Sequence, residues 1–158
     1  MNNIHQNKIL QTKAFLSFQL DGMTDLESNF FREKLFAKYT NHLDHFPIWE
    51  NIVNRFSVCE KNAWKWLDEF IQLKETYLFF DSSDDSTFYI IHENQSITQF
   101  LAELPFVFYL TNENLDFLIT QNDHDYLIAS GTAESWLRDK AKELSKSGWV
   151  DMDGKSYL

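Results

Sequence analysis

The sequence predicts an α+β fold in which N-terminal helices pack on an antiparallel sheet of about five strands, followed by a C-terminal helix. Helical spacing of apolar residues and helix caps dominate residues 1–74. Short aromatic and β-branched runs, separated by turn residues, dominate residues 75–131. These runs are apolar at consecutive positions, which predicts a sheet covered on both faces.

The size and composition indicate one packed domain, residues 1–158, with a helix and tail in residues 132–158. Apolar residues make up 44% of the 158 residues, which excludes a disordered chain. Cys59 is the only cysteine, so no internal disulfide forms and a reducing compartment is favoured. No signal-peptide pattern opens the chain, and no apolar run approaches the roughly 20 residues of a membrane span. We therefore expect a cytoplasmic protein.

The first helix is predicted over residues 24–43. Thr24 and Glu27 have capping-box spacing, in which each side chain satisfies a backbone N–H of the other residue. Apolar residues then recur every four or five positions and predict one buried face. They are Leu26, Phe30, Leu35, Tyr39 and Leu43. The preceding stretch AFLSFQL is short and interrupted by polar residues, so we interpret it as a strand or a core-covering segment.

Two more helices are predicted in the N-terminal half. Residues 46–56 place Pro47 in a first helical turn, where its missing N–H is tolerated. Residues 57–75 repeat the capping-box spacing, with Ser57 as the N-cap. Cys59 would then lie at a helix N-terminus, where the pKa of a thiol can fall.

Five strands are predicted after residue 75. Residues 76–80 and 87–91 flank the polar turn DSSDDS and predict a hairpin. Residues 106–111, 115–121 and 125–130 are three further strands separated by asparagine-rich turns.

Two helices complete the prediction. Residues 96–104 form a short helix capped by Ser96 and ended by Pro105. Residues 133–144 form the C-terminal helix, which Thr132 can cap.

The charge is unevenly distributed. The net charge is −10, and residues 75–137 contain eleven acidic side chains but no lysine or arginine. Binding to phosphates requires cations, so nucleic acid and anionic membranes are not expected as partners of this region. A basic protein would be attracted by such a field and would associate faster. A requirement for solubility explains this excess of acidic residues equally well.

Asp123-His124-Asp125 is the most conspicuous polar group. In extended backbone, His124 points away from both aspartates, so the three residues cannot bind one ion. We favour a hairpin turn in which the aspartates cap backbone amides. One alternative is a small enzyme that uses His124 as general base, oriented by Asp123 or Asp125. Another is an acidic loop presented to a partner, with Asp84 and Asp85 acting similarly in the other hairpin.

Other candidate sites are weaker. His42 and His45 are spaced i, i+3, which suits a metal, but no third ligand accompanies them. No phosphate-binding loop or nucleophile elbow is present, so we expect no catalytic residues, cofactor or metal. Trp64 and Trp66 are two apart on a predicted helix, so one of them is expected near the surface, where it would suit a protein interface. Burial on two sides is the alternative, and an adaptor or subunit of a larger assembly is a third hypothesis.

The segment FYLTNENLDFLITQNDHDYLIASG resembles a stretch in small bacterial proteins associated with polymorphic toxin systems. The resemblance covers about residues 106–131 and rests on Asn122, His124, Asp125 and Gly131. Asp123 occupies a position where a second histidine is expected. The resemblance implies an immunity protein, a cytoplasmic inhibitor that binds and neutralises a cognate toxin.

The combined hypothesis is an immunity protein that binds a basic toxin domain, such as a nuclease, by electrostatic complementarity. The residues expected to contact this partner are acidic, apart from His124 between two aspartates and Trp64 as an aromatic interface residue. They are Asp84, Asp85, Glu113, Asp116, Asp123, His124, Asp125 and Trp64.

Overall fold

The computed structural model describes residues 3–41 and 47–158. Five α-helices and seven strands are formed in these two ranges. In chain order they are α1 (Ile4–Leu16), β1 (Leu20–Gly22), α2 (Asp25–Tyr39), β2 (Arg55–Cys59), α3 (Leu67–Ile71), β3 (Thr76–Phe79), β4 (Tyr89–Ile91), α4 (Ile97–Leu101), β5 (Phe108–Thr111), β6 (Phe117–Gln121), β7 (Tyr126–Gly131) and α5 (Thr132–Lys146). Short 3₁₀ helices occupy Ile48–Asn51 and Ala63–Trp66.

The seven strands form one antiparallel sheet in the order β1-β4-β3-β5-β6-β7-β2. The α+β class and the C-terminal helix are confirmed, but the predicted number of strands is too low. The five predicted strands form the centre of the sheet, and β1 and β2 extend it at its two edges. β1 has only three residues, too few to show a two-residue period.

The helices predicted over residues 46–56 and 57–75 are wrong in most of their length. Ser57 does not cap a helix, because it lies in β2 opposite Ile128 of β7. Long-range pairing therefore overrides the local capping signal. The stretch AFLSFQL, interpreted as a strand or core-covering segment, is helical only to Leu16, where α1 ends. Its later part fits the interpretation, because Phe18 and Leu20 are buried in the core and Leu20 begins β1.

Both faces of the sheet are covered, as the apolar strands predicted. Phe108 and Leu110 of β5 face a core formed with α3, α4 and α5, whereas Tyr109 faces a second core formed with α2. This is the alternation that a two-residue period requires. The chain itself supplies the cover for both faces.

The capping box of α2 is confirmed, but its buried face is different from the predicted one. The hydroxyl of Thr24 accepts a hydrogen bond from the Glu27 N–H, and the Glu27 carboxylate accepts one from the Thr24 N–H. Leu35 and Tyr39 are buried, whereas Leu26 is 82% exposed. Phe30 is also exposed, and Ser28 and Arg32 are buried in its place. The buried face of α2 contains polar residues, so the spacing of apolar residues alone predicts the wrong face.

Of the two N-caps predicted later in the chain, one is formed and one is not. The Ser96 hydroxyl accepts a hydrogen bond from the Gln99 N–H and caps α4, as predicted. Thr132 does not cap α5; it is the first helical residue, and Gly131 occupies the N-cap position. No helix within the described ranges has the length and apolar character needed to cross a membrane.

Candidate functional site

The strand register divides the predicted contact residues between opposite ends of the sheet. β3 ends at Phe79, which pairs with Tyr109, and the start of β5 pairs with Gln121 at the end of β6. Segments 80–87, 104–107 and 122–125 therefore meet at one end, which we call the acidic end. The acidic end contains Asp84, Asp85, Asp123, His124 and Asp125. Glu113 and Asp116 lie in the β5–β6 turn at the opposite end.

Two adjoining cavities open at the acidic end. They share Pro105, Phe106, Val107 and Asp123 as lining residues. The first, the acidic cavity, has a volume of about 350 Å³, and its wall includes Trp49, Asp81, Asp84 and Asp123. The second, the amide cavity, has a volume of about 300 Å³, and its wall includes Lys61, Trp64, Gln121 and Asn122.

Asp81 organises the wall of the acidic cavity. It is buried, and its carboxylate accepts hydrogen bonds from the Ile48 N–H at 2.7 Å and the Tyr109 hydroxyl at 3.0 Å. Burial raises the pKa of Asp81 because desolvation disfavours the charged carboxylate. The Tyr109 oxygen in turn accepts a hydrogen bond from the Trp49 N–H at 3.1 Å. This network fixes the backbone that carries the Trp49 side chain.

Asp84 and Asp85 have different roles despite being adjacent. Asp84 is exposed and lines the acidic cavity, as a contact residue requires. Asp85 is buried, and its carboxylate accepts hydrogen bonds from the Tyr89 hydroxyl at 2.5 Å and the Thr87 N–H at 3.0 Å. The prediction that Asp85 contacts a partner is therefore corrected: its side chain stabilises the hairpin.

The Asp123-His124-Asp125 segment forms a hairpin turn, as favoured from the sequence, but the aspartates do not provide the cap. The Asn122 side-chain oxygen accepts hydrogen bonds from the N–H groups of His124 and Tyr126, both at 3.0 Å. The His124 side chain is 66% exposed, and its Nε2 lies 3.7 Å from the Asp123 carboxylate. An exposed imidazole outside the cavity walls gives no geometric support to the general-base hypothesis.

The opposite end of the sheet carries Glu113 and Asp116 in the β5–β6 turn. The Asp116 carboxylate accepts a hydrogen bond from the Asn112 side-chain amide at 2.9 Å, and the Lys38 ammonium donates to the Leu115 carbonyl at 2.6 Å. Glu113 is exposed in the same turn. The strand register places Glu113 and Asp116 at the far end of the sheet, so they do not belong to the surface around the cavities.

Trp64 and Trp66 are both half-buried, which lies between the two expectations of a position near the surface and burial on two sides. Both pack against the core on the helical side of the sheet. Trp64 lines the amide cavity, and the Lys65 ammonium lies 5.7 Å from its ring centroid. Trp66 packs edge-on against Trp149 at 6.0 Å between ring centroids. Trp64 therefore lies in a cavity wall at the acidic end.

The His42 and His45 pair lies outside the described residues. Within residues 3–41 and 47–158, no group of three histidine, cysteine, aspartate or glutamate side chains is arranged to hold a metal ion.

Cys59 is not at a helix N-terminus, contrary to the prediction. It ends β2, where it is buried. Burial raises the pKa of the thiol, and the nearby Asp153 carboxylate raises it further.

We expect the Cys59 thiol of the native protein to react slowly with 5,5′-dithiobis(2-nitrobenzoate) at neutral pH, because both burial and the raised pKa reduce thiolate at the surface. Absorbance at 412 nm would follow the reaction, with denatured protein and free cysteine as controls. A native rate equal to that of free cysteine would contradict this assignment.

Three residues of the acidic end were not singled out by the sequence. Asp81 directly follows an apolar strand, and this position was the only sequence feature that could have marked it as part of a site. Trp49 was placed only within the helix predicted over residues 46–56, and Gln121 only at the end of a strand. Their convergence depends on the pairing of β3, β5 and β6, which joins residues far apart in the chain.

Comparisons with protein-family models, with curated proteins and with solved structures give no match. The chain's own surface is therefore the basis for assigning a function.

Proposed function

We propose that this protein is an immunity-type inhibitor that binds a basic toxin domain through the acidic end of its sheet. The proposal rests mainly on one observation: Asp81, Asp84 and Asp123 surround a cavity that also presents Trp49. Among its described lining residues there is no lysine or arginine. The resemblance of residues 106–131 to toxin-associated proteins supports the identity of the partner.

The charge distribution suits rapid capture of a basic partner. Nine of the eleven acidic residues in 75–137 are at least partly exposed, since only Asp81 and Asp85 are buried. An excess of exposed charge of one sign steers an oppositely charged protein and raises its association rate at low salt. A half-buried tryptophan flanked by charge provides a suitable anchor for the bound state. A nuclease, whose substrate-binding surface is basic, is a suitable target class.

Inhibition by binding requires no chemistry from this chain. An inhibitor bound to the basic surface of a toxin blocks the anionic substrate sterically and repels it electrostatically. The exposed carboxylates Asp84 and Asp123 and the neighbouring Asp125 are the residues that we assign to this contact.

The proposal is tested by capture and rescue. We expect the immobilised protein to retain one basic protein from a lysate of its source bacterium, and this protein to be released only at high salt. Expression of the captured protein alone should arrest growth, and co-expression with this chain should restore it. Capture without growth arrest, or growth arrest that co-expression does not relieve, would contradict toxin neutralisation.

Charge reversal tests the electrostatic part. The variant Asp84→Lys/Asp123→Lys/Asp125→Lys should associate with the captured protein roughly tenfold to a hundredfold more slowly at low salt and show a weaker salt dependence. Surface plasmon resonance at several salt concentrations measures both. The same association rate in variant and parent would refute the role of these carboxylates.

A further inference from the structure

The acidic cavity and the amide cavity adjoin each other, and we call the two together the recess; its two ends differ chemically. Phe106 and Val107 form an apolar wall common to both. The acidic cavity presents carboxylates and Trp49, whereas Lys61 lies in the wall of the amide cavity. A cationic group is therefore favoured in the acidic cavity over the amide cavity, where the Lys61 charge offsets that of the shared Asp123.

Gln121 adds a second, independent feature to this recess. Its side chain is only 9% exposed and lines the amide cavity. Its amide nitrogen donates to the Glu60 carbonyl at 3.3 Å, but its Oε1 accepts no hydrogen bond from the described residues. A buried acceptor without a donor is unfavourable, so an N–H group of a ligand would be stabilised there.

We propose that the recess binds an arginine-bearing segment of the partner. The guanidinium occupies the acidic cavity against Trp49, between the carboxylates of Asp84 and Asp123. A neighbouring N–H group of the same segment donates to Gln121. This inference rests on the proposed function and specifies which basic group the inhibitor recognises.

Arginine fits the acidic cavity better than lysine does. Its planar guanidinium carries five N–H donors, which several carboxylate oxygens can accept together. It also stacks on aromatic faces more readily than an ammonium group. His5 stacks on Phe106 at 3.7 Å between ring centroids, so that ring is already covered. The His124 ring lies T-shaped to Trp49, at 5.6 Å between ring centroids, and is not stacked on it. Trp49 is therefore the aromatic face assigned to the guanidinium.

The probe is the peptide acetyl-Gly-Arg-Gly-amide, used with the full-length protein in NMR titrations. We expect it to shift the Trp49 indole N–H and the Gln121 side-chain amide signals together. The citrulline peptide, which has a neutral group of nearly the same shape, should bind roughly tenfold more weakly because it loses the charge-assisted hydrogen bonds. The lysine peptide should also bind more weakly. No shift with the arginine peptide, or equal binding of the lysine peptide, would overturn the assignment.

Matched variants separate a local site from the general field. Asp84→Asn/Asp123→Asn removes two exposed charges at the recess, and Glu93→Gln/Glu113→Gln removes two exposed charges at the opposite end. We expect roughly a tenfold loss of peptide affinity in the first variant and less than about a twofold loss in the second. Equal losses would mean that only the long-range field acts, and the proposed site would be rejected.

The site and the proposed function can fail separately. If the parent and Asp84→Asn/Asp123→Asn bind the captured toxin equally well, toxin neutralisation stands, but the recess is not an arginine site and these two carboxylates are not part of the contact. If the arginine peptide binds as expected but the captured protein is not toxic, the site stands and toxin neutralisation fails.

Discussion

The substitution Gly131→Ala is expected to destabilise the protein by about 3–5 kcal/mol, because it combines backbone strain with a steric clash. Gly131 joins β7 to α5 with φ 68° and ψ −141°, a combination that glycine adopts far more readily than other residues. A Cβ atom at this position would clash with the Asp116 carbonyl oxygen and lie 2.6 Å from the Tyr39 hydroxyl.

The neighbours of Gly131 cannot move without losing hydrogen bonds. The Asp116 carbonyl accepts a hydrogen bond from the Thr132 N–H at 2.9 Å, and the Tyr39 hydroxyl donates to the Leu115 carbonyl at 2.6 Å. A shift of either group therefore disturbs the β5–β6 turn and the start of α5 together. The substitution at Gly131 would therefore weaken hydrogen bonds of the β5–β6 turn, of α5 and, through Tyr39, of α2.

Equilibrium urea unfolding measures this effect, with Gly148→Ala as the matched control. Gly148 also has a positive φ, 92°, but apart from its chain neighbours no heavy atom of the described residues lies within 4 Å of its added Cβ. We expect the control to lose only about 1 kcal/mol, the cost of the backbone conformation alone. Equal losses in the two variants would show that the clash at Gly131 is relieved by small movements.

The second large effect is expected from Asp85→Ala, which should cost roughly 2–4 kcal/mol, whereas Asp84→Ala should change stability by less than about 0.5 kcal/mol. Removing the Asp85 carboxylate leaves the buried Tyr89 hydroxyl and the Thr87 N–H without this acceptor. Asp84 is exposed and contributes to the fold through its backbone, so truncating its side chain leaves those bonds intact.

Asp84→Ala should change binding but not stability, whereas Asp85→Ala should change stability. Asp84→Ala should weaken binding of the arginine peptide while the unfolding midpoint stays unchanged. Asp85→Asn retains one acceptor oxygen and should fall between Asp85→Ala and the parent in stability. Unfolding curves and peptide titrations on the same preparations provide both readouts. A stable Asp85→Ala protein with weakened binding would return Asp85 to the contact surface.

Local periodicity predicted the centre of the sheet well. In residues 106–110 every position is apolar, and the structure divides them between two cores according to the two-residue period. The C-terminal helix and the caps at Thr24 and Ser96 were also predictable, because each depends on residues within one or two turns of helix.

Elements that form through distant contacts were not predictable in the same way. β2 is a strand because it pairs along its whole length with β7, about seventy residues later in the chain. Its own sequence contains a capping-box spacing that favours a helix. The exposure of Leu26 and the burial of Ser28 on α2 likewise depend on where the sheet lies relative to the helix.

The sequence by itself determined the α+β class, the central strands and the excess of acidic residues in 75–137, because backbone geometry and composition act locally. Only the tertiary structure decided which acidic residues share a surface. Antiparallel pairing brings Asp81, Asp84 and Asp123 to one cavity and sends Glu113 to the other end of the sheet. The physical reason is that register is set by the packing of whole faces, which no single turn encodes.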